Sequence, residues 1–195
     1  MKDKIMMLVF VLVLGTILTG ILVAVNYYTT PVISRNEQRE IQAGILQALG
    51  IPFGEEEVQQ VFAGSVQARQ AGAKTYYVAE GGAGIAFAYA GSGLWGPING
   101  IVALNADLKT LKGVTILHQE ETPGLGSRIT EAAYLDTFRG KDFTSGLKLV
   151  APGKAKAANE IDAITGATLS PKAFLQILNA NLAASVPAIR EGEMK

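Results

Sequence analysis

The 195-residue chain balances 17 Lys plus Arg against 17 Asp plus Glu, for a formal net charge of zero. A neutral chain lacks the basic face of a nucleic-acid binder. It has no cysteine and a single histidine, His118, which excludes disulfides, thiolate zinc or iron–sulfur sites, a cysteine nucleophile and poly-histidine metal sites.

The first predicted element is a hydrophobic run. Residues 5–25 are uncharged and mostly Ile, Leu, Val, Met and Phe. At about 1.5 Å per residue they reach roughly 31 Å, the thickness of a bilayer's hydrocarbon core. Tyr27 and Tyr28 follow, at the level of the lipid–water interface. A cleavable signal peptide has an apolar stretch of only about 7–15 residues ending in small residues. This run is longer and ends Val23-Ala24-Val25-Asn26-Tyr27. The expectation is an uncleaved single-pass anchor over residues 1–28. Lys2 and Lys4 precede the span, whereas Arg35 and Arg39 beyond it are mixed with Glu37 and Glu40. That mild bias favours a cytoplasmic N-terminus and an extracytoplasmic body.

One folded domain is expected beyond the anchor. Pro31 is expected to separate the anchor from a connecting helix over residues 29–50, with Ser34 and Glu37 as a capping box. Ile41, Ile45, Leu46 and Leu49 form its apolar stripe, and Gly50 with Pro52 stops it. Residues 55–62 read as a short helix. Residues 75–80 and 85–90 read as a hairpin around the glycine-rich turn 81–84, followed by strands over 98–104 and 113–119. In the last strand Val114, Ile116 and His118 share one face by alternation. Residues 130–138 read as a helix closed by Gly140. Ser170 as cap and Pro171 at the first helical position open a helix to about Ala184, with Leu175, Leu178 and Leu182 on its buried side. Grouped strands point to an α+β fold, a mainly antiparallel sheet with packed helices over residues 51–195, preceded by one N-terminal transmembrane helix.

Three segments carry candidate chemistry. Gly91-Ser92-Gly93-Leu94-Trp95-Gly96 formally matches the dinucleotide fingerprint. That motif requires a following helix, whereas here a turn into a strand follows. What remains is a glycine-rich loop holding the chain's lone tryptophan, which either packs in the core or covers a flat aromatic ligand. In His118-Gln119-Glu120-Glu121-Thr122-Pro123-Gly124-Leu125-Gly126, Pro-Gly predicts a type II turn with Gly124 at positive φ. Taken alone it is a turn. The third segment, Asp162 to Ser170, immediately precedes the predicted C-terminal helix. A helix N-terminus attracts phosphate, and Gly166 and Ala167 admit a bulky group near the backbone, with Lys172 as an added positive charge. The plain alternative is an ordinary loop and helix cap. A Ser or Thr hydrolase would need a base, and His118 is the single histidine available.

In order, Gly93-Leu94-Trp95-Gly96, Glu121-Thr122-Pro123-Gly124-Leu125-Gly126 and Asp162-x-x-Thr165-Gly166-Ala167-Thr168 resemble the covalent-FMN domain of membrane-bound ion pumps. That family includes the G subunit of Rnf complexes and the C subunit of the Na+-translocating NADH:quinone reductase. The short chain looks more like the Rnf member. The resemblance implies FMN joined to Thr168 through a phosphoester, attached by an external flavin transferase that uses FAD and recognises Asp162, Thr165, Gly166 and Ala167. It also implies that Trp95 and Leu125 flank the isoalloxazine, that Glu121, Thr122 and Gly124 shape its pocket, and that Leu94 and Ser170 complete the cofactor-binding set. Two departures are Pro171 after Ser170 and Thr165 in place of a frequent serine.

The implied function is an electron-transfer subunit in an Rnf-type ion-translocating ferredoxin:NAD oxidoreductase, with no small-molecule substrate of its own. Its implied partners are the other membrane subunits, the flavin transferase and the membrane, with no nucleic acid. Its expected location is the bacterial cell membrane, with the domain periplasmic. Alternatives are the flavin-carrying subunit of a quinone reductase or other extracytoplasmic reductase, and a cofactor-free anchored binding or assembly module.

Overall fold

The computed structural model describes residues 2–72 and 74–193. The chain divides into two units, one ending at Arg39 and the other beginning at Glu40. The first unit is helical. It belongs to α1 (Lys2–Leu49), which is long and apolar enough to cross a membrane and leaves the side chains of its apolar run unburied.

The helix does not break at Pro31, so the separate helix expected over 29–50 and its Ser34–Glu37 capping box do not form. Proline removes one amide from the ladder. Neighbouring side chains add bonds to the same stretch of backbone. Thr29 and Thr30 hydroxyls donate to the carbonyls of Val25 and Asn26 at 2.9 and 2.7 Å, and Arg35 Nε donates to that of Pro31 at 3.3 Å.

The second unit is built on a five-stranded antiparallel meander. After α2 (Val58–Ser65) come β1 (Val66–Ala71), β2 (Lys74–Ala79), β3 (Ile85–Ser92), β4 (Pro97–Leu104) and β5 (Leu111–His118), in spatial order β1-β2-β3-β4-β5. Against one face pack Ile45, Leu46, Ala48 and Leu49 from the last turns of α1, together with Val58. The other face is covered by α3 (Ala132–Asp136), whose Tyr134 is buried, and by Phe174, Leu178, Leu182 and Val186 of α4 (Leu169–Glu193). With helices on both sides, Ile101, Val102, Ala103 and Leu104 of β4 are all fully buried. Strands covered on both faces read as continuous apolar runs instead of alternating ones.

Two local features depart from simple periodicity. Val114 and Ile116 face the α4 side, but a bulge at Leu117 opposite Asn99 and Gly100 breaks the alternation before His118. The His118 ring is exposed and lies 3.2 Å from Glu120. The second feature is Tyr89, whose hydroxyl passes the paired Gly100 on β4 and donates to the Thr115 carbonyl on β5 at 2.9 Å.

The C-terminal helix runs to Glu193, past the expected end near Ala184 and through Pro187, because Val186 and Ile189 are still buried. Its last turn is tied to the sheet edge, where Glu193 accepts from Arg69 and from Tyr76, each at 2.8 Å. Before it, a short parallel pair, β6 (Lys148–Val150) and β7 (Glu160–Asp162), is held to α4 by Asn179. The Asn179 amide accepts from the Leu147 N–H at 2.8 Å and donates to its carbonyl at 2.9 Å. The pair delivers the chain from Asp162 into the segment that ends at Thr168.

Candidate functional site

The three segments singled out in the sequence converge on one buried carboxylate. Glu121 is 3% exposed. Its Oε1 accepts from the backbone N–H groups of Leu94 and Trp95 at 2.7 and 3.3 Å, and its Oε2 accepts from Ser170 Oγ at 2.6 Å. Its own N–H donates to Gln119 Oε1 at 2.6 Å. The tryptophan loop, the Glu-Thr-Pro-Gly segment and the start of α4 are therefore bound to a single side chain. Its three side-chain contacts are all donors, the complement of an acceptor-only carboxylate.

Close approach of backbone makes this possible. A Cβ at Gly93 would meet Glu121 Oε1 at 2.5 Å, and one at Gly126 would overlap Ser170 Oγ and press on Glu121. Glycine serves here by having no side chain at all.

The turn after Glu121 forms as predicted. Leu125 N–H donates to the Thr122 carbonyl at 3.1 Å, Gly124 has φ 72°, and the Gly124 N–H reaches Ser127 Oγ at 3.0 Å. A second turn of the same type, 164–167, has Gly166 at φ 83° and Ala167 N–H on the Ile164 carbonyl at 3.0 Å. Arg128, which also pairs with Glu131 at 3.1 Å, reaches the Thr165 carbonyl at 3.4 Å. Asp162 is engaged elsewhere, accepting from the N–H groups of Lys154 and Ala155 at 2.8 and 2.9 Å.

Thr168 is exposed and stands at the N-cap of α4, its carbonyl taking the helix's first amide from Lys172 at 3.2 Å. Ser170 does not cap the helix, contrary to the sequence expectation. Its hydroxyl is turned inward to Glu121, which as a charged acceptor outcompetes the local backbone. Pro171 consequently sits in the interior of the first turn instead of at its opening, still among the positions whose amides have no intrahelical partner.

The three segments also expose apolar side chains. Among the described residues of the second unit, the large hydrophobic side chains left exposed are Trp95 at 71%, Leu169 at 59%, Leu125 at 51%, Leu94 at 44% and, apart from these, Ile41. Four of the five thus belong to the three segments. Leu169 escaped the sequence reading because a leucine opening a helix looks like a core residue. A groove of about 550 Å3 also runs beside Thr168, with Lys148 and Lys172 on its rim and Leu147, Leu149 and Leu175 in its wall. The Tyr134 hydroxyl is buried and has no hydrogen-bond partner among the described residues. Burial, with the Asp162 charge second, pushes it above the ordinary tyrosine range. A separate cavity of about 580 Å3 is lined by β2 and β3, away from the three segments. Its lysine, Lys74, already donates to Ser185 at 2.7 Å.

Residues 93–183, which contain Gly93–Gly96 of the first segment and the whole of the other two, match the family model of the FMN-binding domain. Two curated relatives are parts of redox complexes. One is the C subunit of the Na+-translocating NADH-quinone reductase of Chlamydia trachomatis, 38% identical over 114 residues, or 48% of this chain and 36% of the relative. Another is the G subunit of the Na+-translocating ferredoxin:NAD+ oxidoreductase complex of Acetobacterium woodii, 34% identical over 91 residues, or 47% and 43%. The matched stretches thus span less than half the length of either relative. Among solved structures, the C subunit of the Na+-translocating NADH-quinone reductase from Parabacteroides distasonis is 26% identical with a TM-score of 0.70, covering 80% of this chain and 94% of that one. NqrC of Shewanella oneidensis shares the fold, at 22% identity and a TM-score of 0.67 over 75% of this chain and 93% of that one.

Proposed function

We propose that the chain is a membrane-anchored electron carrier whose FMN is joined to Thr168 by a phosphoester, within an ion-translocating complex of the Rnf type. The observation that carries the reading is an exposed threonine at a helix N-terminus, with Leu94, Trp95, Leu125 and Leu169 exposed on segments that Glu121 ties to that helix start. These residues fit FMN. The helix start and Lys172 suit a phosphate, and the aromatic and aliphatic side chains suit a flat ring system. When bound, FMN supplies electron transfer singly or in pairs.

The chain's own part is placement. Glu121 holds the Trp95 loop against the start of α4, and the turn at Gly166 presents Thr168 outward. In attachment, the Thr168 Oγ–phosphorus bond forms as the phosphoanhydride of FAD breaks. AMP leaves, and the hydroxyl proton goes to a base of an external flavin transferase. An external enzyme fits this chain, whose single histidine, His118, is engaged with Glu120. The apolar run of α1 anchors the carrier, with residues 51–195 as the extracytoplasmic domain.

A quinone-reducing complex is the second reading, favoured by the match to the Chlamydia protein. A denaturing gel scanned for flavin fluorescence tests the core of the proposal. Co-expression with a flavin transferase yields a fluorescent band that Thr168→Ala abolishes; a dark wild-type band leaves the cofactor-free anchored module. Copurifying membrane subunits then separate the Rnf from the quinone-reductase assembly.

A further inference from the structure

We infer that Glu121 has two separable roles, as a mechanical clasp that assembles the flavin platform before any flavin arrives and as a fixed negative charge that lowers the flavin's reduction potential. The inference rests on the flavin reading above and concerns what this side chain does to the site.

The clasp follows from the hydrogen bonds. A loop of Gly93, Leu94, Trp95 and Gly96 has little side-chain packing of its own, since Leu94 and Trp95 are both exposed. What fixes it is the pair of N–H contacts to Glu121 Oε1 and the Gly93 N–H on the Gly96 carbonyl at 2.8 Å. The other carboxylate oxygen holds Ser170, two residues after Thr168. One buried group therefore sets the placement of the platform relative to the attachment point, and it does so within the protein alone.

The charge follows from the chemistry of the partners. Glu121 faces three donors, and among the described residues its side chain is paired with no cation. Hydrogen bonds spread its charge without neutralising it, and burial weakens screening by solvent. Electrons added to a nearby flavin are disfavoured by that charge.

The two roles come apart by substitution. In Glu121→Gln the amide oxygen accepts from the Leu94 and Trp95 N–H groups, and the amide nitrogen donates to Ser170 Oγ, which can rotate to accept. The clasp is kept and the charge is lost. Ser170→Ala keeps the charge and removes the donor that offsets it. Glu121→Ala removes both.

The test is potentiometric titration of the flavin absorbance in the full-length chain, loaded by co-expressed flavin transferase. It is paired with Trp95 emission in the unloaded Thr168→Ala background. A raised potential in Glu121→Gln together with a lowered one in Ser170→Ala supports the inference, because loosening of the site would move both the same way. Trp95 emission should be unchanged by Glu121→Gln and red-shifted or quenched by Glu121→Ala. Potentials that stay put, or shift in one direction for both variants, overturn the charge role. Trp95 emission indifferent to Glu121→Ala overturns the clasp. If Glu121→Gln fails to fold, Ser170→Ala alone decides, since only a lowered potential is compatible with the inference. A wild-type chain that loads no flavin is read from the gel before titration and removes the underlying function along with this inference.

Discussion

Ser170 Oγ donates to Glu121 Oε2 at 2.6 Å, joining two buried groups 49 positions apart in the chain. This contact closes the site. It turns inward the hydroxyl that would otherwise cap α4, and leaves Thr168 outermost at the helix start.

The contact depends on Gly126. A Cβ there would overlap Ser170 Oγ and stand 3.0 Å from the Glu121 side chain. Gly126→Ala should destabilise the domain by about 1–3 kcal/mol, the usual cost of forcing extra volume into a packed site. It should also lower the yield of flavin attachment. Urea unfolding followed by far-UV circular dichroism measures the first and gel fluorescence the second. A variant as stable and as well loaded as wild type would mean that the segment relaxes freely.

Trp95 is largely exposed, so its removal costs little packing. Trp95→Ala should change stability by no more than about 0.5 kcal/mol, as exposed positions generally do. Its effect should instead appear in the cofactor, as full covalent loading with a shifted absorption maximum or potential. An unaltered spectrum and potential would count against a ring-covering role.

Two buried tyrosines make a contrasting pair. The Tyr89 hydroxyl donates to the Thr115 carbonyl, whereas that of Tyr134 has no hydrogen-bond partner among the described residues. Tyr89→Phe should cost about 1–2 kcal/mol, a lost buried hydrogen bond with its acceptor left behind, and Tyr134→Phe less than about 0.5 kcal/mol on the same reasoning. Burial raises both hydroxyls above the ordinary tyrosine value. The folded state therefore holds these protons more tightly than the unfolded chain. The associated stability is fully present below about pH 10 and declines as pH climbs beyond it. Urea midpoints at about pH 8 and about pH 10.5, on either side of the unfolded tyrosine value, check both statements. The alkaline loss should shrink in Tyr89→Phe.

Topology is tested by a reporter fused after Lys195. An alkaline phosphatase fusion should be active, because export is required for its folding, and a green fluorescent protein fusion exported by the same route should be dark. The opposite pattern would place the domain in the cytoplasm.

Much of the domain was legible in the chain because its strongest elements obey simple periods. The β3–β4–β5 strands and the Leu175, Leu178 and Leu182 face of α4 lie where residue patterns put them. β1 was not legible, since only Val66 and Ala71 at its ends are buried and the Gln and Arg between them face out. β6 and β7 are three residues each, too short for any period. Pro31 misled because local rules assign it a break, while the helix continues through it with the Thr29, Thr30 and Arg35 side chains bonded to the backbone on either side. At the site, the family resemblance named three segments, and the structure ties all three together at Glu121. The resemblance could not reveal that Glu121 binds both of the others, because hydrogen bonds between residues so distant leave no local pattern. Leu169 stayed hidden for a related reason, as its exposure is decided by how α4 packs.

On the proposed reading, the exposed Leu94, Trp95, Leu125 and Leu169 also bear on the time between synthesis and loading. Greasy surface left open on a folded protein drives self-association. On that reading, the bare molecule is at its stickiest before its flavin arrives, and attachment would double as a finishing step that covers the surface. Delayed attachment would show first as clumped or degraded polypeptide, before any shortage of electron flow.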